Sequence, residues 1–415
     1  MSQSRSSFTF NLSRTTALSL AAVACALAAS PLSASSAEMA AGSKRDVQAS
    51  VYVPANSLEQ FRPAAERNQD RIDFTYLDKA LGWFVIPMGP STRDGAGRVD
   101  PEIGTRRIYG HESRFRLEGN RVAFSYFTDD VRASLTEYRQ DLERVGSTLD
   151  LTRLPRNEQL AFWLNLHNVA VIEALAYEYP LSQPSERKFG SNGAPLSDAK
   201  LVTVRGIELS PRDIRERIVY PNWRDPKVIY GFWRGEIGGP SIQRLAYSGG
   251  NLDALLALSG EEFVNSLRGV EGYGDRLLVS EIYREAAPFY FENDTALRSH
   301  LSAFAGEKVA KLITKTDETR YNIYARDVAD LAKGERDPGY SEVTTQAGGS
   351  VGALGLSVGP GASTPRASRP NLAIQRLLEE RRVKLNRAIK QGIRTGQVIY
   401  NDGEYNSGET GKEVE

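Results

Sequence analysis

Residues 162–168, FWLNLHN, set three groups able to do chemistry, Asn165, His167 and Asn168, into an otherwise apolar run. An imidazole that titrates near neutrality is the usual general base, and a side-chain amide both donates and accepts hydrogen bonds. Two chemistries follow. In the first, His167 is the base for a nucleophile or bound water near Ser241, in the GGPS segment 238–241, with a carboxylate such as Glu173 or Glu236 beside it. That arrangement would be a hydrolase-like site. In the second, Asn165 and Asn168 share a helical face, three residues apart, while His167 lies roughly opposite Asn165. With Glu236 and Tyr247 they make a polar cluster that binds a ligand or ties the helix to neighbouring backbone. An unpaired buried amide costs a few kcal/mol, and most buried polar groups are satisfied by backbone. The second reading leads, and the expectation is a non-catalytic binding or scaffolding module, with the hydrolase-like enzyme as its rival.

Other chemistries lack their residues. His111, His167 and His300 are far apart, and no paired-histidine or clustered-carboxylate spacing suggests zinc, so neither metal nor cofactor is expected. Gly95-Ala96-Gly97 lacks the third glycine and the strand-to-helix setting of a dinucleotide loop. NDGEYNSGE (401–409) lacks calcium-loop spacing, and Ser241 has no Gly-x-Ser-x-Gly elbow. The chain carries 52 basic and 52 acidic side chains, which gives no basic footprint for a nucleic acid.

The elements that position these residues follow from pattern. Arg156 to Tyr179 reads as one helix ended by Pro180. Before it, Thr128 caps a helix led by Asp129 and Asp130 and running to about Arg144. Arg106–Phe127 reads as a hairpin turning at Gly119-Asn120. Leu201–Arg205 alternates like a strand, and Ser210 with Pro211 opens a short helix. Lys227–Trp233 reads as a compact strand, followed by helices near 251–258 and 261–267, a strand at 276–279 and a helix near 294–304. Helices interleaved with short strands predict an α+β (mixed α/β) domain over 45–335, one globular body with a short mixed sheet packed by helices.

The ends differ in character. Arg5 and Arg14 precede the apolar run Ala17–Ala29, and Ser35-Ser36-Ala37 fits a cleavage site, so residues 1–37 read as a signal peptide and the protein as periplasmic or secreted. That run is shorter than the roughly 20 residues of a spanning helix, and no later segment reads as spanning. Cys25, the only cysteine, lies within it, so the mature chain would be cysteine-free, without disulfides or a thiol nucleophile. Residues 336–370 form a linker: 17 of the 30 residues 341–370 are Gly, Ser, Pro or Thr, too few apolar groups to order themselves. The basic amphipathic segment 371–394 then carries seven Lys/Arg, and 395–415 is a polar tail. Such a helix packs back on its domain, docks a partner, or makes weak contact with an anionic membrane surface. The linker predicts that the chain beyond 341 is dispensable for folding.

Three blocks place the chain in a family. RNEQLAFWLNLHNVAVIEALAYEYP (156–180), VTVRGIELSPRDIRERIV (202–219) and DPKVIYGFWRGEIGGPSIQRLAY (225–247) resemble, in order, the signature helix, the strand–turn–helix and the Asp-Pro-led strand of the domain of unknown function 547. The resemblance covers about 150–270, with looser similarity at 72–89, and it implies a family-like core without an agreed activity. The departures bear on chemistry. Where many members have histidine after the Asp-Pro start this chain has Ile229, and where many have cysteine in the following loop it has Gly239. Glu216 and Tyr220 stand at the places of a histidine and an arginine, and His167 at the place of a tyrosine. Thiol or histidine chemistry of those members does not carry over.

Overall fold

The computed structural model describes residues 55–67, 69–98, 110–335 and 371–393. The signal-peptide segment, the linker and the polar tail lie outside the described residues.

The fold is built around one helix. Helix α3 (Arg156–Glu178) follows α1 (Thr75–Phe84) and α2 (Asp129–Thr148), and nearly every residue from Asn157 to Ala176 is buried. A helix apolar on all sides must be enclosed by other elements, and here α2, the 213–219 turn and the loops at 226–247 enclose it. By length and composition α3 is able to cross a membrane, contrary to expectation, but 83% of its apolar window is buried inside the fold, so it is a core helix. α2 starts where the sequence places it: Thr128 Oγ1 accepts the Val131 N–H at 3.3 Å, and Asp129 and Asp130 sit at the positive end of the helix dipole. Gly146 lets α2 close on its neighbours, because a Cβ there would lie 2.7 Å from the Phe162 ring and 2.9 Å from Val204.

Short sheets pack against these helices. β1 (Val85–Ile86) pairs with β2 (Arg121–Val122), and β3 (Val202–Val204) with β4 (Ile207–Leu209), both antiparallel. β5 (Val270–Tyr273) and β6 (Arg276–Ser280) are antiparallel, and β7 (Glu318–Ile323) adds in parallel to β6. Between them lie α4 (Leu252–Val264), α5 (Glu281–Tyr290), α6 (Asp294–Phe304) and α7 (Glu307–Lys315). The architecture is α+β, as the interleaved pattern predicts.

Four expectations need correction. The hairpin expected over Arg106–Phe127 does not form among its described residues. Segment 110–120 instead wraps around the Arg121 guanidinium, which is fully buried and donates to the carbonyls of Phe115, Arg116, Glu118, Gly119 and Asn120. Those carbonyls are thereby used on a cation instead of a strand ladder. The strand expected at Lys227–Trp233 is a 3-10 helix over Pro226–Gly231, because Asp225 caps it through the Lys227 N–H at 2.9 Å and Pro226 presets the first turn. The two helices expected near 251–267 are the single α4, in which Gly260 makes room for Phe304 and Tyr230.

The fourth concerns the C-terminal helix, α8 (Leu372–Lys390). It packs on residues 86–126 and 331–332 through Ile374 and Leu377, over a small apolar cluster that includes Met88 and Leu331. Its cations go to the chain itself. Lys384 is buried and donates to the carbonyls of Leu117 (2.6 Å), Gly89 (3.2 Å) and Met88 (3.3 Å). Arg381 donates to the Pro87 carbonyl and Arg116 pairs with Glu380, each at 2.6 Å. The packed-back reading is the one observed, α8 belongs to the fold, and a dispensable tail is not what this packing implies.

Candidate functional site

The asparagines face backbone. Asn165 Nδ2 donates to the Tyr247 carbonyl at 2.7 Å and its Oδ1 accepts the Tyr247 N–H at 3.0 Å. Asn168 Nδ2 donates to the Gly231 carbonyl and its Oδ1 accepts the Trp233 N–H, both at 3.0 Å. Each amide closes a two-point clamp on a strandless loop that would otherwise leave buried backbone groups unpaired. Tyr247 takes part through its backbone; its buried hydroxyl bonds Ser259, and burial pushes it up to about 12. Beside Asn165 and Asn168 the void is only about 10 Å³, lined also by Leu77, Ile172 and Tyr247, room for at most one water.

His167 points the other way. Its Nδ1 is 3.0 Å from Asn168 Oδ1 and its Nε2 is 3.0 Å from Arg215 Nη1. A guanidinium has only hydrogens to give, so Nε2 accepts and Nδ1 carries the proton donated to Asn168. The ring is neutral: burial, then the charge of Arg215, hold it well below the ordinary histidine range. Its lone pair is therefore already engaged. Ser241 does not meet it. The serine lies in a separate buried cluster, where Oγ donates to Glu262 and accepts from the Asn120 N–H and Arg268 Nη2 at 3.0–3.1 Å. Glu173 is elsewhere again, paired with Arg139 and Thr136. His167, Ser241 and Glu173 are thus held in three places, and of the carboxylates considered Glu236 shares a cleft with His167.

What the fold brings together beside His167 is a cleft of about 290 Å³. Its floor is a chain of charges. Arg234 grips Glu285 bidentately, Nη1 to Oε2 at 2.7 Å and Nη2 to Oε1 at 2.8 Å. Arg215 holds the same carboxylate through Nε at 2.8 Å and bonds Ser197 Oγ at 2.7 Å. Burial alone would raise Glu285, but the charges of Arg234 and Arg215 outweigh it and keep the carboxylate ionised far below its usual range. Glu236 lies on the same cleft, hydrogen-bonded to the Tyr324 hydroxyl, and burial pushes it up to about 7 against the opposing pull of that bond, Arg326 and Arg234. Of the polar residues singled out from the sequence, His167 and Glu236 line this cleft, while Asn165, Asn168, Tyr247 and Ser241 do not.

The local fold explains how Arg215 gets there. Ser210 and Asp213 cap each other, Ser210 Oγ accepting the Asp213 N–H at 3.1 Å and Asp213 Oδ2 accepting the Ser210 N–H at 2.9 Å. The helix that follows is wound as a π-helix over Asp213–Val219, a rare geometry that recurs at functional sites. It turns Arg215 inward, only 1% exposed, between exposed Arg212 and Arg217. From the other side, α5 starts with Ser280 Oγ capping Ile282 and presents Glu281 and Glu285 one turn apart. Sequence reasoning missed Arg215, Arg234, Glu285 and Tyr324. The only available signal was the cluster of arginines within the 202–247 blocks.

Residues 151–264 match the family described as a protein of unknown function, DUF547. The chain carries a domain of that family. No curated protein and no solved structure matches the chain. The matched segment contains His167, Arg215, Arg234 and Glu236, whereas Glu281, Glu285, Tyr324 and Arg326 come from the chain after it, so the cleft is closed from outside the DUF547 segment.

Proposed function

We propose that this chain is a ligand-binding module, and that its ligand is an anion held in the cleft between α3, the π-helical turn and the start of α5. One observation carries the reading: two guanidiniums, Arg215 and Arg234, share the single carboxylate of Glu285, which leaves one positive charge in excess on a nearly buried floor. The outer cations do not add to that excess. Arg212 is paired with Asp198 and Glu216, and Arg326 with Glu281. An uncompensated charge away from water costs several kcal/mol, and perturbed, partly buried charge in a cleft marks functional sites. An arriving anion removes the imbalance. Binding is favoured over catalysis because the His167 lone pair is engaged by Arg215 and Ser241 lies in another cluster.

The test is anion-dependent stabilisation. A ligand that binds the folded state raises stability by RT ln(1 + [L]/Kd), about 2.7 kcal/mol at a hundredfold excess over Kd. The melting temperature should rise with acetate or sulfate beyond chloride at equal ionic strength, and Arg234→Gln should abolish the rise. Equal responses in parent and variant would refute the proposal.

A second reading rests on Glu236, a carboxyl able to give or take a proton near neutrality beside Tyr324. It makes the rival hydrolase-like enzyme a Glu236 general acid–base, in place of His167 and Ser241. Turnover of an ester or glycoside panel that is lost in Glu236→Gln would favour it.

A further inference from the structure

Resting on the anion-binding reading, we infer that the ligand is a monocarboxylate with a short apolar body, its head at Arg234 and its body against the aliphatic wall of the cleft. The charge count selects the head. The floor holds Arg215 and Arg234 against Glu285, a net charge of one while Glu236 keeps its proton, so a monoanion neutralises it. A dianionic phosphate would leave one negative charge in excess, facing Glu236 and Glu281 on the same cleft. Arg234 is also under-filled. Both its Nη atoms give one hydrogen to Glu285, while its buried Nε has no acceptor, so the guanidinium has donors left for a second anion.

The walls select the body. Val171 from α3, Ile282 from α5, Leu196 and the prolines Pro184, Pro195 and Pro211 line the cleft above the charged floor. Val171 and Ile282 are each 1% exposed and back that side, while Leu196 and the prolines present its apolar surface. Rings that would stack on an aromatic or sugar ligand are few, since Tyr324 is the one aromatic lining residue besides His167. The volume of about 290 Å³ lies at the lower end for small-molecule sites, so the body is short. Such an acid is equally a free short-chain acid or an N-acylated hydrophobic amino acid, and these share the head and body argued here.

The probes are acetate, hexanoate, hexanol and hexyl phosphate, titrated calorimetrically into the full chain at pH 6.5, below the value of about 7 to which Glu236 is raised. Hexanoate should bind about tenfold or more tighter than acetate, since each buried methylene adds to affinity. Hexanol should be at least about tenfold weaker than hexanoate, having lost the charge, and hexyl phosphate should be weaker than hexanoate. N-acetyl-leucine tighter than hexanoate would point to the amino-acid source, and the reverse order to the free acid; either order supports the class. Leu196→Ala should weaken hexanoate by a larger factor than acetate, and because it cuts a loop side chain it tests the wall without touching the buried charges. Hexyl phosphate equal to or tighter than hexanoate, or hexanoate no tighter than acetate, would overturn the inference while leaving anion binding intact. Failure of all three anions would bring down the anion-binding proposal with it.

Discussion

Removing the Asn165 amide should destabilise the fold clearly. Its two bonds, at 2.7 and 3.0 Å, satisfy both the carbonyl and the N–H of Tyr247, a residue 2% exposed. Each buried group left unpaired costs about 1–3 kcal/mol, so Asn165→Ala stands to lose about 2–6 kcal/mol. The adjoining void sets where in that range the loss falls. It measures about 10 Å³ in the parent, and deleting the amide enlarges it enough for a water to bond both Tyr247 groups. Asn165→Ala should therefore fall in the lower half of the range. Asn165→Leu refills the space with carbon and keeps water out, so it should be the worse of the two despite conserving volume. Urea unfolding followed by tryptophan fluorescence reads both. The reasoning is refuted if both variants lie within about 0.5 kcal/mol of the parent, the usual spread of neutral surface changes, or if alanine is clearly worse than leucine.

Other expectations follow from the same geometry. Ending the chain at residue 335 should lower the melting temperature clearly, because it uncovers Met88 and Leu331 and strips the Leu117, Gly89 and Met88 carbonyls of Lys384; an unchanged melt would show that α8 is not part of the fold. Glu236 holds its proton more tightly folded than unfolded, about 7 against an ordinary 4.5, so its contribution to stability declines as pH rises from about 4.5 to 7. Glu236→Gln should remove that decline and gain on the parent above pH 7, and parallel pH–stability curves would contradict it. We propose that the chain is exported and cut after Ala37, so N-terminal sequencing of protein from the cell envelope should begin at or near Glu38; an intact Met1, or a lipid on Cys25, would defeat this.

Local pattern was enough for α2, α3, β3, β6 and α6. Capping residues, proline stops and hydrophobic periodicity act within a few residues, so Thr128, Ser210-Pro211 and Pro180 mark boundaries that the structure keeps within a few positions. The family was legible for a related reason, since the Phe-Trp-x-Asn-x-x-Asn spacing lies within one helix. Even there the sequence could not say which way its polar groups point. Asn165 and Asn168 were expected as a cluster with Glu236, yet they clamp loops on one side of α3 while His167 and Glu236 belong to the cleft on the other.

The site itself was decided by tertiary structure. Arg215 and Glu285 are 70 residues apart, and Arg215 and His167 are 48 apart. No periodicity distinguishes Arg215 from Arg212 or Arg217, because helical spacing reports a face and not what covers it. The Arg215 guanidinium is buried because a carboxylate and a lone pair arrive from other elements to replace its water. The same holds for Lys384, which folds inward onto the Leu117, Gly89 and Met88 carbonyls brought to it from a distant segment. Caps, apolar stripes and the ring of carbonyls around Arg121 are local properties of this chain, whereas the charged floor of its cleft exists only where separate elements meet.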